Sequence, residues 1–118
     1  MKATIDIEGK TYKEFPNFLQ NSNGFNIQFT LKFNNNEVFD LNRYTVTFKA
    51  REYNAEENQI EAECTIINAT SGICIYTVNE NDFDTIGRFE TELECVSDNI
   101  ILTTKLSDLI VEDDIYGS

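Results

Sequence analysis

Hydrophobic and polar residues alternate with a period of two along most of this chain. No segment sustains the i, i+3, i+4, i+7 stripe of an amphipathic helix. Residues 3 to 8 set Ala3, Ile5 and Ile7 against Thr4, Asp6 and Glu8, which predicts a first strand ending near Gly9-Lys10. Residues 13 to 24 show no period. They hold the only proline, Pro16, with Phe15, Phe18 and Leu19 nearby and an Asn-Ser-Asn-Gly run up to Gly24, and they read as a loop with at most one helical turn. The clearest strand follows, with Phe25, Ile27, Phe29, Leu31 and Phe33 on one face and Asn26, Gln28, Thr30 and Lys32 on the other.

After the Asn34-Asn35-Asn36 turn, Tyr44, Val46, Phe48 and Ala50 point inward while Thr45, Thr47, Lys49 and Arg51 point outward. Ile60, Ala62, Cys64 and Ile66 share the next inward phase. The turn from Asn68 to Gly72 leads to Cys74, Tyr76 and Val78, so these two strands form a hairpin. An acidic crossing loop over residues 79 to 86 precedes Gly87, and Phe89, Thr91, Leu93 and Cys95 then alternate with Arg88, Glu90, Glu92 and Glu94. The last strand carries Ile100, Leu102, Thr104 and Leu106. Beyond Ser107-Asp108 the apolar phase slips to Leu109 and Val111, which predicts a bulge.

Seven such segments predict an all-β fold, a seven-stranded antiparallel immunoglobulin-like β-sandwich rather than a closed barrel. In that topology the third strand lies beside the sixth. Lys49 and Arg51 would then face Glu90, Glu92 and Glu94 on one solvent-exposed surface. The 118 residues have the length of one domain with one core. Its expected parts are an N-terminal strand and loop over 1–24, a sandwich core over 25–112 and a frayed tail over 113–118.

Composition narrows the functional classes. The formal charge is −12, from 21 acidic and 9 basic residues, opposite to what phosphate neutralisation needs, so nucleic acid is not an expected partner. No apolar run is long enough for a membrane helix, and the start of the chain lacks the pattern of a secretory signal, which predicts folding in a cytoplasm and no membrane partner. There is no histidine, which removes Ser-His and Cys-His nucleophile pairs and His-ligated zinc. The expectation is a protein that is not an enzyme and needs no cofactor.

The candidate sites are few. Cys64, Cys74 and Cys95 share the inward phase of successive strands; with no fourth ligand and no CxxC spacing, they read as buried free thiols rather than a metal site. Glu80, Asp82 and Asp84 alternate in the crossing loop and form a weak candidate for calcium, although no complete calcium-loop pattern is present and acidic residues there also serve as turn formers. Asn68-Ala69-Thr70 is a formal glycosylation sequon read as turn chemistry. The pairs Glu61/Glu63 and Glu90/Glu92 sit on outward faces, where desolvation cannot separate two carboxylate pKa values as a glycosidase requires.

Several of these segments occur in a familiar order: Asp40-Leu41, Val46-Thr47-Phe48, Ser71 to Tyr76, Asp82 to Phe89, and Leu109-Ile110-Val111. Over roughly residues 25 to 112 the order resembles the immunoglobulin-like N-terminal domain of phage upper baseplate and tail structural proteins. The resemblance implies a virion structural module, a baseplate, tail or head adaptor or decoration, made in the host cytoplasm. It would dock to other virion proteins as a homo-oligomer or in several copies. Family members continue into a helical linker and a receptor-binding or fibre region that this sequence does not include, so receptor binding is not carried over. Phe89 stands where a tyrosine corner would need a hydroxyl, and no site residues are carried over. Two other classes are a carbohydrate-binding or adhesive sandwich module, which would need exposed aromatics on one face, and a small acidic inhibitor of a host enzyme.

Overall fold

The computed structural model describes residues 1–113; the expected frayed tail lies, from residue 114 onward, outside the described residues. The described chain is all strand, turn and loop. Eleven strands follow in order: β1 Lys2–Ile7, β2 Lys10–Tyr12, β3 Phe18–Leu19, β4 Asn26–Lys32, β5 Thr45–Glu52, β6 Ile60–Glu63, β7 Thr65–Asn68, β8 Ile73–Thr77, β9 Gly87–Ser97, β10 Ile100–Lys105 and β11 Leu109–Glu112. They build two sheets. One has the order β2-β1-β4-β8-β7; the other runs β3-β11-β9-β5-β6, with β10 also paired to β9, and curls into a half-barrel.

Each of the seven segments with period-two alternation is strand, and the count rises to eleven for three physical reasons. First, the segment over 60 to 66 changes sheets at Cys64, so that β6 pairs with β5 while β7 pairs with β8. Second, the last segment breaks at the expected phase slip. Lys105 lies opposite Glu92 but Leu109 lies opposite Phe89, which leaves one extra residue on that side and makes a bulge between β10 and β11.

Third, the N-terminal region is more ordered than its pattern suggests. A two-residue turn at Glu8-Gly9, with φ of 50° and 81°, folds β2 back onto β1. Residues 13 to 24 then pass from the first sheet to the second as a strap, with no helical turn. Within the strap, β3 pairs in parallel with β11, while the other strand pairs are antiparallel. Phe15 and Phe18 drop their rings into the core, where Phe15 lies edge-on to Phe29 and Phe18 sits 4.9 Å from Phe83 between ring centroids. Backbone groups pin the strap as well: Phe15 N–H donates to Ser107 Oγ (2.8 Å), Gln20 N–H to Glu112 O (2.8 Å) and Asn21 N–H to Phe83 O (2.8 Å).

The core lies between the sheets and is rich in phenylalanine. Ile27, Phe29 and Leu31 of β4 face Val46 and Phe48 of β5, and all five are fully buried. Phe33, expected inward, is 44% exposed, because β4 ends at Lys32 and the chain turns away; its ring packs against Phe39 instead. Ile100 is likewise half-exposed, at the tip of the Asp98-Asn99 hairpin.

Candidate docking surface

The outer face of the curled sheet gathers the chain's paired charges. In the β5–β9 ladder Lys49 lies opposite Glu92, and Arg51 opposite Glu90, with Thr47 opposite Glu94. Lys49 Nζ donates to Glu94 Oε2 at 3.2 Å and Arg51 Nη2 to Glu90 Oε2 at 3.4 Å, the juxtaposition that the alternation predicts. The hydrogen bond to Glu94 holds the Lys49 ammonium above its ordinary pKa, with the carboxylates of Glu94, Glu61 and Glu92 adding to it against a small desolvation. At one end of the face Tyr53 OH donates to Asp108, 2.9 Å from Oδ2, and Arg88 Nε lies 3.8 Å from the same carboxylate.

Between β5, β9 and β10 the curl leaves an open hollow of about 500 Å³, lined by Lys49, Arg51, Glu90, Glu92 and Lys105 among others. Three cations here meet three carboxylates once Glu94 is counted. The hollow is therefore nearly neutral, although Glu61 and Glu63 of β6 flank it and the whole chain carries −12. A nearly neutral, hydrogen-bonding hollow suits a protein contact better than it suits a phosphate or a metal ion.

The three cysteines are buried and carry no disulfide. Cys74 lies within hydrogen-bonding reach of Cys64; that contact, with burial second, pushes the Cys74 thiol up. Burial first, then the proximity of Cys74, pushes Cys95 up to about 12. Thiols held protonated in this way are poor nucleophiles and poor metal ligands. Among the described residues no group of three or more acidic or thiol side chains is placed to hold a metal ion.

The acidic residues of the crossing loop do not converge. Glu80 is exposed, whereas Asp82 Oδ2 accepts from Asn79 N–H (2.8 Å) and from the hydroxyl of Tyr76. Asp84 Oδ1 accepts from Gln59 Nε2 (3.1 Å) and from Thr85 Oγ1 (3.1 Å). The Asn79 and Thr85 bonds form the turn and the Gln59 bond ties it to the segment before β6, around Phe83, which is 1% exposed in the core. Tyr76 is itself buried at the end of β8, and burial, followed by the Asp82 hydrogen bond, raises its pKa. The crossing between the sheets, where Phe89 has no hydroxyl to offer, is thus anchored from the other side by Tyr76. Sequence reasoning missed this pair, since nothing in a local pattern links a buried tyrosine to an aspartate across a turn.

The turn motifs serve backbone geometry. Asn68 Oδ1 accepts from Ser71 N–H (3.1 Å). Gly72 has φ of +71°, and a Cβ there would lie 2.7 Å from both Leu31 O and Phe39 O, so no other residue fits without moving backbone. Glu61 and Glu63 are exposed on the edge strand β6. Of the tyrosines, Tyr12 and Tyr44 are half-buried, Tyr53 is 42% exposed, and Tyr116 lies outside the described residues.

No curated protein matches the chain. The family model of the BppU N-terminal domain, from phage baseplate upper proteins, matches residues 18–118, leaving out only β1, β2 and the start of the strap. A match of that extent covers nine of the eleven strands, including all six of the second sheet and its outer face, and the chain belongs to the BppU N-terminal domain family.

Proposed function

We propose that this domain is a non-enzymatic structural module of a phage baseplate, present in several copies, which works by docking to other virion proteins. The observation that carries the reading is the family match over residues 18–118, which spans the outer face and the loops at both ends of the sheets. The concave, nearly neutral surface around Lys49, Arg51 and Glu90 is the part of the molecule best suited to such a contact. A structural role is further supported by the missing histidine, by thiols driven to high pKa, and by carboxylates engaged in ladders and turns.

The immunoglobulin-like reading of the fold is supported by strand order. With β1, β4, β5, β7, β8, β9 and β10/β11 taken as strands A to G, one sheet reads A-B-E-D and the other C-F-G, which is the arrangement of that fold. A sugar-binding role fits less well. The exposed rings of Phe33 and Tyr53 follow β4 and β5, strands of different sheets, and do not share one face as a stacking platform requires. The chain's −12 also argues against nucleic acid.

Mass spectrometry of purified virions should find the protein at a stoichiometry of several copies per particle, and co-expression with neighbouring structural genes should give co-purification. Absence from virions, combined with binding to a glycan or a host enzyme, would overturn the proposal.

A further inference from the structure

The two sheets expose several strand edges, and all but one are blunted. At one side of the first sheet β2 has only Lys10–Tyr12, bracketed by Lys10 and Lys13. At the other, β7 is broken by a register shift between Ile66 and Asn68. In the second sheet β3 has two residues, and β6 carries Glu61 and Glu63. Short length, charge and bulges are the usual devices that stop an edge from pairing with another chain.

The exception is β10. It runs Ile100 to Lys105 in unbroken register with β9, from Ile100 opposite Ser97 to Lys105 opposite Glu92. Residues 99 to 104 carry no charge, and Ile100 and Ile101 are 51% and 65% exposed. Among the described residues its other edge pairs with nothing; β1, in the facing sheet, touches β10 without joining it.

We propose that the free edge of β10 is a self-pairing site, at which a second copy of this chain adds its own β10 antiparallel across a two-fold axis. The charge pattern selects that occupant. Asp98 stands at one end of the uncharged run and Lys105 at the other, so an antiparallel copy brings each lysine beside the partner's aspartate. Side chains outward on one copy must stay outward on the other, and this is met when Leu102 lies opposite its counterpart. Lys105 then faces Asn99, with Asp98 next to it, and Ile101 faces Thr103 on the outer surface, extending the hollow lined by Lys49 and Arg51 across the pair.

Two bodies of charge −12 repel, and that repulsion is screened over about 10 Å at moderate salt, so the pairing is weak at low salt and strengthens as salt is added. This inference deepens the docking reading and rests on its multi-copy part. Its failure would leave presence in the virion untouched.

Sedimentation of the 118-residue protein over a range of concentration and salt tests it. The expected result is a reversible monomer–dimer equilibrium that tightens with salt. Ile101→Lys, at an exposed site, should weaken it by about tenfold or more, whereas Ile86→Lys, also exposed but outside β10, should not. Lys105→Asp should weaken it most at low salt. A protein monomeric under all conditions, or a dimer indifferent to Ile101→Lys, would overturn the proposal. So would a monomer whose capture by another baseplate protein is lost in Ile101→Lys, since the edge would then belong to a different chain.

Discussion

The β5–β9 ladder and the strap over residues 13 to 24 bury comparable aromatic groups by opposite means. The ladder pairs eight residues of β5 with β9 and repeats one unit, a hydrogen-bonded pair with one face wet and one face dry. The strap has a two-residue parallel strand and a few scattered bonds, yet it seats Phe15 and Phe18 against Phe29, Phe48 and Phe83. Regular backbone is thus not what makes a segment of this molecule structural. The buried rings do that in both regions, and the ladder's visible ion pairs contribute little beside them.

The largest expected effects test that equivalence directly. Phe48→Ala in the ladder and Phe18→Ala in the strap should each destabilise the fold by about 3–5 kcal/mol in urea unfolding. A strap that merely covered the core would lose less than about 1 kcal/mol with Phe18→Ala. Next, Ser107→Ala removes the hydroxyl that accepts from Phe15 N–H in a partly buried setting, and should cost about 1–3 kcal/mol. If the loss were negligible, the rings alone would hold the strap.

Within the ladder, the dry and wet faces should answer alkali in the same direction but by different amounts. Cys95, inward on β9, has a thiol raised from its ordinary 9.0 to about 12, so its contribution is complete below pH 9 and is lost as pH rises towards 12. Stability should fall there by about 1.4 kcal/mol per pH unit for that proton, with a shallower slope in Cys95→Ala. Lys49, outward on β5, is also raised, so its smaller contribution likewise fades in alkali. Lys49→Gln should cost well under about 1 kcal/mol near neutral pH, a difference that added salt erases.

What the sequence made legible follows from this contrast. The ladder could be read down to its cross-strand charges because period two tells inside from outside at every residue, and the slip after Ser107 could be read as a bulge for the same reason. The change of sheets at Cys64 could not. Both sheets share one core, so Ile60, Cys64 and Ile66 keep the same inward phase on either side of the switch. The strap was illegible because Phe15 and Phe18 reach the core from a segment passing between the sheets, where no repeat applies. The calcium candidate had a similar source: an aspartate that caps a turn and anchors a tyrosine is indistinguishable, in a linear string, from one exposed to water. The concave face was half legible, its residues readable from alternation but its curvature not.

The ladder has a consequence in time. It joins Thr45 to Val96 and Glu52 to Phe89, partners far apart in the chain, so β5 leaves the ribosome well before β9 and waits on the order of seconds for its neighbour. Throughout that interval the alternating Val46, Phe48 and Ala50 lie on a strand that only β6 can join, with its other edge open in the way that favours aggregation. Lys49 and Arg51, which add so little to the finished fold, stand between those residues on the opposite face. Charges alternating with apolar residues in this way are the pattern that lowers the tendency of an early strand to aggregate before a late one arrives.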